Sequence, residues 1–354
     1  MIFTFSAFLL HYFLIYATMI KIFAAKGGDP VGKTCSRCSS PVEGRLCPVC
    51  GFDSGSELES VALTAGTALD DRYVIGRVIG SGGFGITYLA YDTDEEKTVA
   101  IKEYYPKNVA IRAADNVTIE PLTSLQTAEF ERGGERFENE AKILSGLVGE
   151  TDVIKMFNTF RQNGTIYYVM EYVHGMTIAE YTKKYGKISE GQALHAAICI
   201  ASAFRCIHSR NIIHRDLSPG NVMITLDGKV KLVDFGNARP FCDGENSMTV
   251  ALKHGFAPLE QYQHHGNHGP WTDIYSLGTV LYYALTLATP EDPMTRLDDD
   301  REFQNGLAEI NPDLSAIINK MAAVKINERY SSSDELLCSL KAVRIKAEAL
   351  TQRS

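Results

Sequence analysis

Apolar and polar residues alternate with a period of two in YVIGRVIG (73–80) and again in TVAIKEY (98–104), which predicts strands. A third stretch, TIYYVMEYVHG (165–175), is almost continuously apolar before its glycine and predicts a buried strand. Further on the period lengthens. QALHAAICIASAFRCIH (192–208) is apolar at helical spacing, and RFENEAKIL (136–144) places Phe137, Ala141 and Leu144 on one helical face. Strands first and helices later predict an α+β chain with a sheet-rich part followed by a helical part. No internal repeat interrupts this order, and LDDDRE (297–302) reads as a solvated surface loop.

The region before Tyr73 follows another pattern. Residues 1–20 contain no charged side chain, long enough for a helix that just crosses a bilayer. Lys21 and Lys26 follow, so the positive-inside rule would keep the rest in the cytoplasm, anchored to the inner face of the cell membrane. Met19 offers an equal alternative as the true start, with residues 1–18 then being upstream sequence. Residues 53–71 are rich in Ser, Gly, Ala, Thr and Glu without periodicity and read as a linker.

Composition narrows the classes. The 354 residues are 45% hydrophobic and 22% charged, enough for an ample core. A net charge of −8 argues against a broad nucleic-acid-binding face, so no nucleic-acid partner is expected. Eight cysteines are too few for a secreted disulfide scaffold. Four of them, Cys35, Cys38, Cys47 and Cys50, form two C-x-x-C pairs with a short connection. Each pair can present two thiolates to one tetrahedral ion, so residues 33–52 are expected to be a zinc ribbon whose folding energy is structural Zn²⁺ binding. Cys199 and Cys206, seven apart on an apolar helix, read as core residues.

Five stretches speak of phosphate chemistry. IGSGGFGITYLAYD (79–92) spaces Gly80, Gly82 and Gly85 as G-x-G-x-x-G. A dinucleotide site would need these glycines to open a helix, whereas TYLAYD reads as a second strand, so the glycines form a hairpin whose amides can approach phosphate oxygens. Lys102 follows on its strand. Glu140 lies within the apolar stripe of the 136–144 helix and Glu138 does not, which makes Glu140 the expected partner of Lys102, despite an apparent insertion over 104–130. HRDLSPGN (214–221) and VKLVDFGNA (230–238) complete the set, with Asp216, Asn221 and Asp234 as hard-oxygen groups in order and correctly spaced.

Taken together, residues 72–347 resemble a bacterial, eukaryotic-like (Hanks-type) serine/threonine protein kinase domain, over about three quarters of the chain. The resemblance implies a two-lobed kinase fold preceded by the small ribbon, with a β-rich N-lobe at 72–173 and a larger helical C-lobe at 174–347. It implies ATP and protein substrates, the chain itself included, and Mg²⁺, with Mn²⁺ as an alternative, held by Asn221 and Asp234. Asp216 would accept or orient the proton of the attacking hydroxyl. Ile79, Gly80, Gly82, Gly85, Ala100 and Lys102 would line the nucleotide, with Met170, Glu171 and Val173 at the adenine-binding hinge. GFAPLEQY (255–262) closes the activation segment, Glu260 should pair with Arg329, and Asp273 should brace the catalytic loop. Ser247 and Thr249 are candidate phosphorylation sites that could engage Arg215.

Two departures accompany the resemblance. Thr87 stands where the family often has Val, and Ser218 stands where serine/threonine kinases carry a Lys that contacts the γ-phosphate. Seven residues before Glu260, where the family has Ser or Thr, this chain has Lys253. The two residue types look exchanged, and Lys253 is expected to supply the missing charge beside Asp216. The alternative is a pseudokinase or nucleotide-binding scaffold. It is disfavoured by the retention of Lys102, Asp216, Asn221 and Asp234.

Overall fold

The computed structural model of the chain describes residues 61–147, 149–240, 252–263 and 266–351. The expected membrane helix at 1–20, the expected ribbon at 33–52 with its four cysteines, and Ser247 and Thr249 lie outside the described residues. Among the described residues no helix is long and apolar enough to cross a membrane. Nor does any cluster of three or more His, Cys, Asp or Glu there offer a metal site.

The described chain falls into two compact units. The first comprises residues up to Glu135 together with Asn158–Tyr172. Its centre is a six-stranded sheet in the order β1-β2-β3-β4-β8-β7. The strands are β1 (Ala68–Leu69), β2 (Tyr73–Ser81), β3 (Gly85–Asp92), β4 (Lys97–Tyr104), β7 (Met156–Gln162) and β8 (Thr165–Glu171). β-Branched and aromatic residues at alternate positions make these strands, as the period of two predicts. One face buries Tyr73, Ile75, Ile86, Tyr88, Val99, Ile101, Tyr167 and Val169. The insertion does not loop out. It forms a hairpin of β5 (Ala110–Arg112) and β6 (Ile119–Pro121), and its Ala110 and Ile119 join that same core with Leu63 and Leu69. Burying each such aliphatic side chain contributes about 1.5–3 kcal/mol.

The second unit comprises Arg136–Phe157 and the residues from Val173 onward. It begins within helix α1 (Thr127–Ser145), where Phe137, Glu140, Ala141 and Leu144 are buried. A short sheet runs in the order β12 (Val230–Leu232), β11 (Val222–Thr225) and β9 (Gly175–Thr177), so its first strand in the chain becomes an edge of the sheet. Helix α2 (Ile178–Tyr185) follows β9, and a two-stranded ladder joins β10 (Ile212–Ile213) to β13 (Arg239–Pro240). Helix α3 (Glu190–His208) starts where Ser189 and Gln192 form a capping box and buries an alanine- and isoleucine-rich face. Helix α4 (Pro270–Thr286) is buried nearly all round, as its continuous apolarity requires. Cys206 is buried and Cys199 half-buried on α3, and burial first of all raises each thiol to about 11. Cys206 is thus a core residue, and Cys199 lies at the margin of the core.

LDDDRE is not simply a loop. It closes α5 (Pro293–Asp298) and opens α6 (Arg301–Gly306), and its Asp300 pairs at 2.7 Å with the buried Arg296. The remaining helices, α7 (Pro312–Met321) and α8 (Ser333–Thr351), complete the unit.

Candidate active site

In the first unit the hairpin between β2 and β3 carries the glycines. Gly80 and Ser81 pair with Thr87 and Ile86, and Gly82 donates its N–H to the Gly85 carbonyl at 2.9 Å. A Cβ on Gly82 or Gly83 would meet open space, so these positions leave room for a ligand's close approach. Gly85 has a different need, because a Cβ there would sit 2.4 Å from the Glu103 carbonyl oxygen. Ile79 lies on β2 just before the hairpin. Lys102 pairs in register with Thr87 on one side and Tyr168 on the other, and its Nζ lies 5.5 Å from the Tyr168 ring centroid. Ala100 pairs with Met170, and Glu171 ends β8.

The second unit gathers the acidic groups. Asp273, fully buried near the start of α4, accepts the backbone N–H of His214 on one carboxylate oxygen and that of Arg215 on the other, each at 2.8 Å. His208 on α3 reaches the same carboxylate at 2.8 Å. Burial works to raise the Asp273 pKa, but the His208 hydrogen bond and the amide contacts outweigh it and hold the carboxyl below its ordinary range. The carboxylate thereby clamps a strained loop, in which Arg215 takes φ +63°. His214 is fully buried against the edge of Phe235, and burial lowers its pKa, so it is neutral. Its Nδ1 accepts the Asp216 N–H at 3.3 Å.

Asn221 donates from Nδ2 to the Asp216 carbonyl at 2.7 Å, and its own carbonyl accepts the Val233 N–H at 3.0 Å. This seats the end of the catalytic loop beside Asp234, which also has a left-handed φ of +67°. Glu140 accepts the Phe235 N–H at 3.2 Å, and a Cβ on Gly236 would meet both the Asp234 and Glu140 carboxylates. The second unit therefore brings Glu140 to the Asp234–Phe235–Gly236 turn. Lys102 belongs to the first unit, and its predicted partnership with Glu140 is part of the proposal below. Val173, at the start of the second unit's longer segment, is buried.

Lys253 lies at the same catalytic loop. Its Nζ is 2.9 Å from Asp216 Oδ1 and donates to Ser218 Oγ at 3.0 Å. Its backbone carbonyl accepts the N–H groups of Phe256 and Ala257, and Ser276 holds the Phe256 carbonyl at 2.9 Å. Asp292, which the sequence reading did not single out, fixes this segment. It accepts from the Gly255 N–H at 3.2 Å and the Tyr262 hydroxyl at 3.1 Å, and contacts His254 at 2.6 Å. Gln261 donates to the Arg215 carbonyl at 2.8 Å, tying the GFAPLEQY stretch to the catalytic loop. Glu260 and Arg329 form a fully buried pair at 2.8 Å, with Thr272 on the same carboxylate.

Arg215 carries a second signal. Burial, and after it the neighbouring Arg239, press its guanidinium below its ordinary pKa.

A model of the protein kinase domain matches residues 73–341. Serine/threonine-protein kinase D of Synechocystis is 31% identical over 286 residues, covering 77% of this chain and 52% of that protein. Serine/threonine-protein kinase PknB of Mycolicibacterium smegmatis is 30% identical over 293 residues, covering 78% of this chain and 44% of that one. The chain spans about half the length of the curated relatives it matches. The solved apo form of PpkA-294 is 30% identical with a TM-score of 0.71, over 79% of this chain and 99% of that chain. With the domain model matched across most of its length, this chain belongs to the protein kinase family.

Proposed function

We propose that the protein is an ATP-dependent serine/threonine protein kinase that transfers the γ-phosphate of ATP to hydroxyls of proteins, itself included, in a signalling role. The observation that carries this reading is the Lys253 ammonium held against both Asp216 and Ser218. A lost catalytic-loop cation argues for a dead site, and a cation returned to the same place from the activation segment argues for a working one.

In this mechanism Asp216 accepts or orients the proton of the attacking hydroxyl. Lys253 neutralises charge on the transferred phosphoryl, the task for which the family uses the Lys that Ser218 replaces. Lys102, supported by Glu140, holds the ATP phosphates, and the backbone amides of the glycine hairpin cover them. Ile79, Ala100, Met170, Glu171 and Val173 receive the adenine. Asn221 and Asp234 fit a hard divalent cation. They present amide and carboxylate oxygens, and the Asn221 amide is oriented by its bond to Asp216, which turns its Oδ1 away from that contact. Asn221 and Asp234 would hold Mg²⁺ there, and it would supply charge neutralisation on the phosphates. Arg215 would receive a phosphate placed on Ser247 or Thr249.

The proposal extends to the N-terminal region. Cys35, Cys38, Cys47 and Cys50 would hold one structural Zn²⁺, supported by their spacing, and residues 1–20, where translated, would anchor the protein to the membrane.

The experiment is transfer from labelled ATP with Mg²⁺ by the full chain and its Asp216→Asn variant, on themselves and on a generic protein. Label on Ser or Thr that disappears in the variant supports the reading. Tight ATP binding with no label from either would make the chain a nucleotide-binding scaffold.

A further inference from the structure

Strand β4 has two faces. Lys102 shares one with Ala100 and Tyr104, and Glu103 falls on the other with Val99 and Ile101. That second face is the core of the first unit, so the Glu103 carboxylate lies wholly buried among Ile86, Tyr88, Ile101 and Tyr167. A carboxylate in such surroundings requires donors on every side. It has four: the Tyr88 and Tyr167 hydroxyls, each at 2.7 Å, and Arg112 Nη1 and Nη2 at 3.2 and 2.6 Å. Arg112 belongs to the insertion hairpin. It also donates to the Val117 carbonyl at 2.9 Å and to the Val61 carbonyl, while the Leu63 N–H donates to the Tyr88 hydroxyl at 3.1 Å. Burial first, and Glu103 next, raise both tyrosines, so they remain donors. Burial acts against the Arg112 charge, and the Glu103 hydrogen bonds overcome it.

The backbone of Glu103 is equally committed. Its carbonyl oxygen is what a Cβ on Gly85 would strike, so the third glycine of the hairpin rests directly on it. Its neighbour in the chain is Lys102. A single residue is therefore gripped by its side chain on one face of the sheet. Through its backbone it sets the base of the glycine hairpin and the root of Lys102 on the other.

We propose that Glu103 and Arg112 are a positioning pair for phosphate binding, which holds Lys102 and Gly85 in place and is closed by residues 61–63. The proposal rests on the reading of Lys102 and the hairpin as ATP phosphate ligands. An unpaired Glu103 would turn towards water, and β4 would have to shift with it.

A pair that only stabilised the fold would affect all nucleosides alike. A positioning pair affects those with phosphates. The test compares the affinities of ATP with Mg²⁺ and of adenosine for the full chain and for Arg112→Met, Tyr167→Phe and Lys102→Met. Arg112→Met is expected to weaken ATP about tenfold and leave adenosine within about twofold. Tyr167→Phe removes one donor and no charge, so it carries the same test if Arg112→Met does not fold, with about a threefold change in the ratio expected. An ATP-to-adenosine ratio that changes in Lys102→Met and not in Tyr167→Phe overturns the positioning role alone. A ratio unchanged in Lys102→Met overturns the phosphate reading, and the pair's role with it.

Discussion

Lys253 and Asp216 stand 2.9 Å apart, ammonium to carboxylate, with Ser218 on the same ammonium at 3.0 Å. Under the proposed function, this contact is where the HRDLSPGN loop and the segment before GFAPLEQY carry exchanged residue types, Ser in the loop and Lys in the segment. A Lys in the loop would reach the phosphoryl directly from the segment that carries the base. Here the cation comes from a segment anchored elsewhere, so its presence depends on that anchorage.

The exchange predicts the behaviour of Lys253→Ala. Removing a preorganised cation costs on the order of 3 kcal/mol of transition-state stabilisation, or about a hundredfold in kcat. Replacing the exposed Lys187 should leave kcat unchanged. The double variant Ser218→Lys with Lys253→Thr should recover a substantial part of the loss, because it restores the ordinary arrangement. Steady-state phosphate transfer on one protein substrate measures all three. Equal rates for Lys253→Ala and Lys187→Ala would remove Lys253 from the mechanism.

Asp273→Asn tests the clamp on the loop. The carboxylate accepts from two backbone N–H groups and His208, and an amide can accept on only one of its two arms. One buried donor would face an NH₂ group, at a cost of about 1–3 kcal/mol. Thermal unfolding should fall by several degrees, and transfer should fall further than stability does, because Arg215 is held at φ +63° by this carboxylate. A variant with lowered stability and full turnover would show that the loop keeps its shape unaided.

Much of this was legible in the sequence. The HRDLSPGN and DFG stretches identified their carboxylates without any fold, and counting back from Glu260 found Lys253. Glu140 was separable from Glu138 because only it falls in the helix's apolar stripe, and it is the buried one of the two. Glu103 was missed, although its signal was present. In TVAIKEY it occupies the face of Val99 and Ile101, and a carboxylate at an apolar position of a strand demands a partner. The partner, Arg112, lies inside the apparent insertion over 104–130. Asp292 was illegible for another reason. It is distant in sequence from the segment it anchors, and no local period points from one to the other.

Gly255→Ala examines that anchorage. Gly255 has φ +77°, and a Cβ would stand 2.4 Å from the Pro290 carbonyl oxygen. The left-handed conformation alone costs an alanine about 1–2 kcal/mol, and the contact adds to it. The segment should therefore move and carry Lys253 with it. We expect kcat to fall at least tenfold with the affinity for ATP unchanged, since Gly255 touches none of the expected nucleotide ligands. If kcat holds while only the unfolding temperature drops, the anchor serves stability and not the position of Lys253.

The pH dependence of stability follows from one buried and one half-buried histidine. His214 and His268 both have pKa values lowered in the folded protein from an ordinary 6.5, chiefly by burial and, for His268, next by Arg215. Glu260 and Asp273 act on His268 in the opposite sense without reversing it. The unfolded chain thus binds protons that the folded chain refuses. Stability is complete above 6.5 and declines as pH falls below it, by up to ~1.4 kcal/mol per pH unit from His214 and less from the partly exposed His268. Asp273, also lowered, adds its own loss only below its ordinary 3.8. The unfolding temperature should therefore be level between about pH 7 and 8 and fall steadily from 6.5 to 5. His268→Gln should shallow that fall without removing it, because His214 remains. A temperature that stays level down to pH 5 would mean that both imidazoles protonate in the native state, with His214 finding a partner for its second proton.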